Sequence, residues 1–343
     1  MKGKIIGLDI GSTTIKVASA KRDGNVFSLE SIGVAPTTAK GVLSESLIDL
    51  QMLADTIKKL LSSANIKATD VAISVPENQV YTKVIEMPEL SSQELSSALK
   101  FEMEQYVPLP LDQARTDWEI LGKTDEGGKK IMDVMIVAAP LSIIQKYEKI
   151  MEMVGLSPQV IETEIVSTHR ALLPLVSNPD SNMIIHIGAT TTSIAIVKGG
   201  IIKTVFALPL GGAAITRAIS LDLGIDMVQA ENYKKAYGLN KDAFEGKIGH
   251  ALSPILESIV GDIKKSLLAF SEKNNNENIK QVILSGGTSL LPGIAVYFTN
   301  TLSAQVVLGN CFTAYNIQNV PNELNLEAPS YNVVMGLALR NLV

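Results

Sequence analysis

The chain has 343 residues, 46% of them apolar and 19% charged, with a formal net charge of −5, a pI near 5.4 and a mean hydropathy of +0.23. This balance excludes extended disorder and any general attraction to nucleic acid, and the length suits two domains or one core split by a cleft. A single cysteine, Cys311, excludes an internal disulfide and fits a reducing, cytoplasmic compartment, while no apolar run reaches the ~18–20 residues of a membrane span.

Short apolar runs alternate with amphipathic stretches along the chain, the mark of an α/β fold. The start, "MKGKIIGLDIGS", is too broken by Asp9 and Gly11 to be a signal peptide. Strands are expected at 4–10, 15–21 and 26–34, with "KRDGN" as the hairpin turn between the last two. Leu47, Leu50, Leu53, Ala54, Ile57, Leu60 and Leu61 recur at helical spacing, which predicts a helix over 44–64 with one buried face. The buried strand "DVAISV" follows, closed by Pro76.

From 78 to 150 the pattern changes. A strand, "QVYTKVIEMP", leads into "SSQELSSALKFEMEQYV", where Ser91 and Glu94 have capping-box spacing ahead of an apolar face of Leu95, Ala98, Leu99 and Met103. Two strands around "GKTDEGGKK" and a helix from 141 that stops at Gly155 complete what reads as a small α+β module inserted into the first half.

The opening pattern then returns. Strands are expected at 183–188, 193–198 and 201–207, helices at 212–221, 226–237 and 251–273, a loop at 274–280 and the strand "QVILS". Aligning Asp9 with His186 also pairs Gly11 with Gly188, Thr13 with Thr190 and Thr14 with Thr191. A turn of Gly, Ser and Thr between two strands aims several backbone N–H groups at one spot and adds hydroxyl donors, a concavity suited to polyphosphate. One such turn is an ordinary hairpin; here there are two, followed by "LSGGTSLLPGI", where paired glycines let a flat ring or a sugar approach the backbone. The P-loop and Rossmann glycine signatures are both missing. His169, His186 and His250 lack metal-ligand spacing.

"GLDIGSTTIKVA", "IIHIGATTTSIAI" and "VILSGGTSLLPGI" resemble, in order, the phosphate-1, phosphate-2 and adenosine motifs of the actin-like ATPase superfamily. "KVIEMPELSSQELSSALKFEMEQYVPLPLDQARTDWEIL", "LPLGGAAITRAIS" and "DMVQAENYKK" narrow the resemblance to the type IV pilus assembly protein PilM branch, related to the division protein FtsA. It spans nearly the whole chain. It implies two ribonuclease H-like halves around a nucleotide cleft: 1–77, completed by 151–180 and 328–343, and 181–327, with 78–150 as the inserted subdomain.

The resemblance implies ATP and Mg²⁺ as cofactors. Gly11, Ser12, Thr13 and Lys16 would lie along the phosphates, with Asp9 organising Mg²⁺ through its water shell. Gly188, Ala189, Thr190 and Thr191 would close from the second half. Gly211, Gly212 and Thr216 would support the nucleotide, Glu231 and Lys234 would reach the ribose or adenine, and Gly286, Gly287 and Thr288 would back the adenosine. On sequence alone Lys16 and Lys234 read as surface lysines, and Glu164 as a helix-face carboxylate; the resemblance makes Glu164 a water-positioning group. His186 stands where the family carries an aspartate. Imidazole is a poor ligand for a hard cation, which implies weak or no ATP hydrolysis; His186 also reads as a buried, hydrogen-bonded strand residue.

Two kinds of function follow. The first is an adaptor that binds the N-terminal cytoplasmic tail of a PilN-like bitopic membrane protein and links the pilus platform to motor ATPases. It would lie in the cytoplasm, peripheral to the inner membrane, with no direct membrane insertion and with self-association open. The second is an active ATPase, sugar kinase or FtsA-like filament former. The chain ends "MGLALRNLV", directly after its last predicted core helix, without an FtsA-like amphipathic anchor, so the adaptor is preferred. The module would take the tail in a groove against the first half.

Overall fold

The computed structural model describes residues 5–240, 242–274 and 277–343; Lys4, placed in the first expected strand, and Asn275 and Asn276, in the expected loop, lie outside them. The opening strands are β1 (Ile6–Ile10), β2 (Thr14–Asp23) and β3 (Val26–Pro36), followed by α1 (Leu47–Ser63) and β4 (Asp70–Val75). With β8 (Ser157–Thr163) they form a sheet of order β3-β2-β1-β4-β8. The second half repeats it: β9 (Ser181–Ile187), β10 (Thr192–Lys198), β11 (Ile201–Leu208), β12 (Gln281–Ser285) and β13 (Gln305–Leu308) run in the order β11-β10-β9-β12-β13. In both sheets the first strand pairs antiparallel to the second and parallel to the fourth in the order. The repeat legible at the two turns is thus a repeat of whole sheets, and the fold is of the actin-like kind.

Each sheet buries an apolar core on its outer face. Leu53, Ile57 and Leu60 of α1 cover the first sheet together with Tyr147, Ile150 and Met151 of α3 (Leu141–Val154). The second is covered by α5 (Gly212–Leu223), α6 (Met227–Tyr237) and α7 (Lys247–Lys273). Between the sheets, α4 (Glu164–Val176) and α11 (Asn332–Ala338) pack into a shared core with Ala18, Ile184 and Ala195. The last helix is buried along its whole length, so 332–338 is the centre of the molecule rather than a tail.

The inserted sheet has the order β5-β7-β6, from β5 (Tyr81–Pro88), β6 (Ala114–Glu126) and β7 (Lys129–Pro140). It carries α2 (Ser92–Tyr106) on one face through Leu95, Leu99 and Met103. The capping box forms: Ser91 N–H donates to Glu94 Oε2 at 2.9 Å, and Glu94 N–H to Ser91 Oγ at 3.4 Å. α3, expected from its position to belong to this module, instead buries its apolar face in the first-half core. The module also leans across to the second half. Asp133 of β7, 1% exposed, pairs with Lys203 of β11 at 2.6 Å, and β6 runs so close that a Cβ on Gly122 would stand 2.3 Å from Ile201 Cδ1.

Candidate functional site

The two turns face each other across the cleft between the sheets. Each is closed by the same bond, Gly11 N–H to Thr14 O at 3.0 Å and Gly188 N–H to Thr191 O at 2.8 Å. Their exposed tips meet where Ser12 Oγ lies 3.2 Å from Thr190 Oγ1. Thr13 braces the first turn from behind by accepting the Thr37 N–H at 3.0 Å. Lys16, the next residue of β2 on this side, donates to Thr14 Oγ1 at 2.9 Å and sits 5.8 Å from the centre of the Tyr331 ring.

Behind the turns the duplication extends to buried polar pairs. Ser74, next to last in β4, lies beside Asp9 and donates to its Oδ1 at 3.2 Å; Ser285 ends β12 in register with His186, its Oγ 3.1 Å from the imidazole Nδ1. Burial pushes the Asp9 carboxyl above the usual range, with Lys16 and the Ser74 bond pulling the other way. Glu164, half-buried at the start of α4, is pushed up to about 8 by burial and by the neighbouring charges of Asp9 and Glu77. His186 is pushed down to about 4, chiefly by burial and then by Lys16. It is therefore a neutral, hydrogen-bonded strand residue and does not repel a cation. Asn332 Nδ2 donates to the same Ser285 Oγ at 3.0 Å, tying His186 to the central helix.

The second half supplies the rest of the cleft. α5 begins against the second turn, with Gly212 N–H donating to Gly188 O at 2.9 Å and Ala213 N–H to Ala189 O at 2.7 Å. A Cβ on Gly211 would stand 2.7 Å from Gly188 O. Gly286 has φ +87°, and its missing Cβ would lie 2.4 Å from Ile187 O, so only glycine fits. Thr288 Oγ1 donates to Gly188 O at 3.1 Å, and Gly287 borders open space. Lys234, 7% exposed, is no surface lysine. Its ammonium reaches Gly212 O at 3.1 Å, Thr216 Oγ1 at 2.9 Å and Glu231 Oε2 at 2.6 Å. The structure thus brings the two turns together and packs Gly211, Gly212, Gly286 and Thr288 against the second one, with Thr216, Glu231 and Lys234 bonded to one another behind Gly212. Sequence reasoning missed Ser74, Ser285 and Glu77; a serine near the C-terminal end of each of two mostly apolar strands, "DVAISV" and "QVILS", was the available signal for the first two. Among the described residues no group of three or more His, Cys, Asp or Glu side chains is placed to hold a metal by itself.

A second concavity of about 530 Å³ lies between the module and the first half. Arg115, Asp117, Trp118 and Glu119 of β6 and Pro158 to Thr163 of β8 form its sides. Residues 117–119 and 158–163 are unbroken runs, so the groove touches the two strands along their edges. Both strands are the outermost of their sheets. Met135, Val137 and Ala139 of β7 alternate along one wall, with Val75, Val80 and Ile144 nearby.

Comparison with known proteins places these features in a family. The cell division protein FtsA of Streptococcus pneumoniae is 23% identical over an alignment 381 positions long, covering 98% of this chain and 80% of that protein; FtsA of Bacillus subtilis is 23% identical, covering 97% and 82%. Among solved structures, a PilM-PilN type IV pilus biogenesis complex superposes with a TM-score of 0.86 at 25% identity, covering 100% of both chains. The ethanolamine utilization protein EutJ of Carboxydothermus hydrogenoformans shares the fold at a TM-score of 0.59 and 16% identity, over 98% of this chain and 89% of its own. The profile described as type IV pilus assembly protein PilM matches residues 7–342, and with both halves, the inserted module and the paired turns accounted for, the chain belongs to that family.

Proposed function

We propose that this chain is an ATP-binding, actin-like component of the type IV pilus inner-membrane platform that captures the N-terminal cytoplasmic tail of a PilN-like membrane protein and links it to the motor ATPases. The observation that carries the reading is the groove between β6 and β8. Two outermost strands with apolar side chains between them offer an extended peptide a ladder of backbone hydrogen bonds and pockets for alternate side chains. The superposition on a PilM solved together with PilN supports the same partner. Among the described residues no helix is long and apolar enough to cross a membrane, so the tail would hold the protein at the inner membrane.

The cleft would take ATP, and a Spiroplasma citri MreB 5 solved with AMPPNP shares the fold at a TM-score of 0.50. The fit rests on Gly211 and Gly286, where the chain closes so tightly behind the cleft that no side chain is admitted. Lys16 and the turns at 11–13 and 188–191 would hold the phosphates, with Asp9 behind a hydrated Mg²⁺. That ion would offset phosphate charge.

Trp118 is the only tryptophan of the chain and lines the groove, which makes the test direct. Titration with a synthetic tail peptide of a PilN-like partner is expected to change Trp118 fluorescence to saturation. An unchanged signal, with no heat of binding by calorimetry, would remove the groove as the docking site.

A further inference from the structure

Glu77 is a buried acid that neither the motifs nor the fold explains. It follows Pro76 in the short turn between β4 and β5 and is 4% exposed. Its Oε2 accepts the Ile165 N–H at 3.2 Å across 88 residues of sequence, and its Oε1 has no hydrogen-bond partner. Ile165 is the residue after Glu164, in the first turn of α4. The residue that should cap this helix, Thr163, makes no side-chain capping bond. Glu77 therefore does from a distance what the local sequence leaves undone.

We infer that Glu77 is a positioning residue of the nucleotide cleft, fixing the first turn of α4 so that Glu164 stands beside Asp9 at the phosphate end. The inference rests on the reading of the cleft as an ATP site. The surroundings point to the cleft as well. Ser74, three residues before Glu77, holds Asp9. The Tyr147 hydroxyl, buried and without a hydrogen-bond partner, lies within electrostatic reach of both Glu164 and Asp9. On the other side Val75, Val80 and Thr163 line the groove, so the turn that carries Glu77 borders both sites.

Two conservative variants separate reach from charge. Glu77→Gln keeps an acceptor at the same distance and loses the charge; Glu77→Asp keeps the charge and draws the oxygens back by one methylene. The full-length protein is titrated with ATP and with ADP, each with Mg²⁺, by calorimetry. Glu77→Asp is expected to lower the ATP-to-ADP affinity ratio about tenfold with ADP affinity unchanged, since misplacing a positioned group by ~1 Å costs on that scale or more. Glu77→Gln is expected to keep the wild-type ratio. Equal weakening of both nucleotides, or loss of the ratio in Glu77→Gln as large as in Glu77→Asp, overturns the inference. Wild-type protein that binds neither nucleotide overturns the cleft assignment itself, and the role of Glu77 with it.

Discussion

Ser12 and Thr190, 178 residues apart in the chain, touch through their hydroxyls at 3.2 Å. That contact makes the two turns the two lips of one cleft, and a ligand between them would stabilise the closed molecule by mass action. ATP at a hundredfold excess over its Kd is expected to add about 2.7 kcal/mol to stability. Gly11→Val should remove that shift, because a Cβ there already meets Thr14 O at 2.9 Å. Thermal unfolding with and without ATP checks both; a retained shift in the variant would place the nucleotide elsewhere.

His186→Asp puts the superfamily's acid at the end of β9. ATP turnover, measured as phosphate release, is expected to rise, at some cost in stability from the lost bond to Ser285. Unchanged or lower turnover would end the metal argument for slow hydrolysis.

The buried acids set a pH dependence. Burial holds Glu77 up at about 7, above the ordinary glutamate range. Below the ordinary range both folded and unfolded chains keep this proton and nothing is lost. As pH rises from there to about 7 the unfolded chain releases a proton that the native state retains, so stability falls, and above that it levels off. Glu77→Gln should therefore gain on the wild type between pH 5 and 8, by on the order of 2 kcal/mol. The comparison must be a difference, because His169 and His186, each held down at about 4 mainly by burial, act the opposite way and cost stability as pH falls below the ordinary histidine range. Urea midpoints across pH for both proteins decide it; parallel curves would contradict the buried-acid account.

Lys203→Met leaves Asp133 buried without its cation. Loss of one partner of a buried pair costs about 3–5 kcal/mol, and Lys203 keeps some water contact, so roughly 2–3 kcal/mol is expected here. Adding Asp133→Asn should recover part of it. A denaturant series on the single and double variants measures the coupling; a silent Lys203→Met would mean that the module's hold on β11 is apolar.

What the sequence disclosed is what repeats or stays local. The turns at Gly11 and Gly188, the capping box at Ser91 and the left-handed stop at Gly155 each depend on residues a few positions apart, and each formed. The pairing of Asp133 with Lys203 joins residues 70 positions apart and carries no local pattern. Glu77 sits in "SVPENQV", which reads as a solvated turn until Ile165 is brought to it. α3 was misplaced for a related reason: its amphipathic spacing shows that one face is buried, and only the packing of Tyr147, Ile150 and Met151 shows against what. Lys234 hid in the same way, since a lysine in the last turn of a polar helix usually faces water, and the partners that bury it come from α5 as well as its own helix.

The module leaves the first half by the chain and returns to the second by Asp133–Lys203 and by Ile201 lying over Gly122. First half, module and second half therefore form a closed linkage of three bodies with the cleft at one joint and the groove at another. A rotation that parts Ser12 from Thr190 must either break the clasp on β11 or carry β6 away from β8. In such a ring no joint moves alone: the width of the groove and the opening of the cleft are one coordinate for as long as the clasp holds.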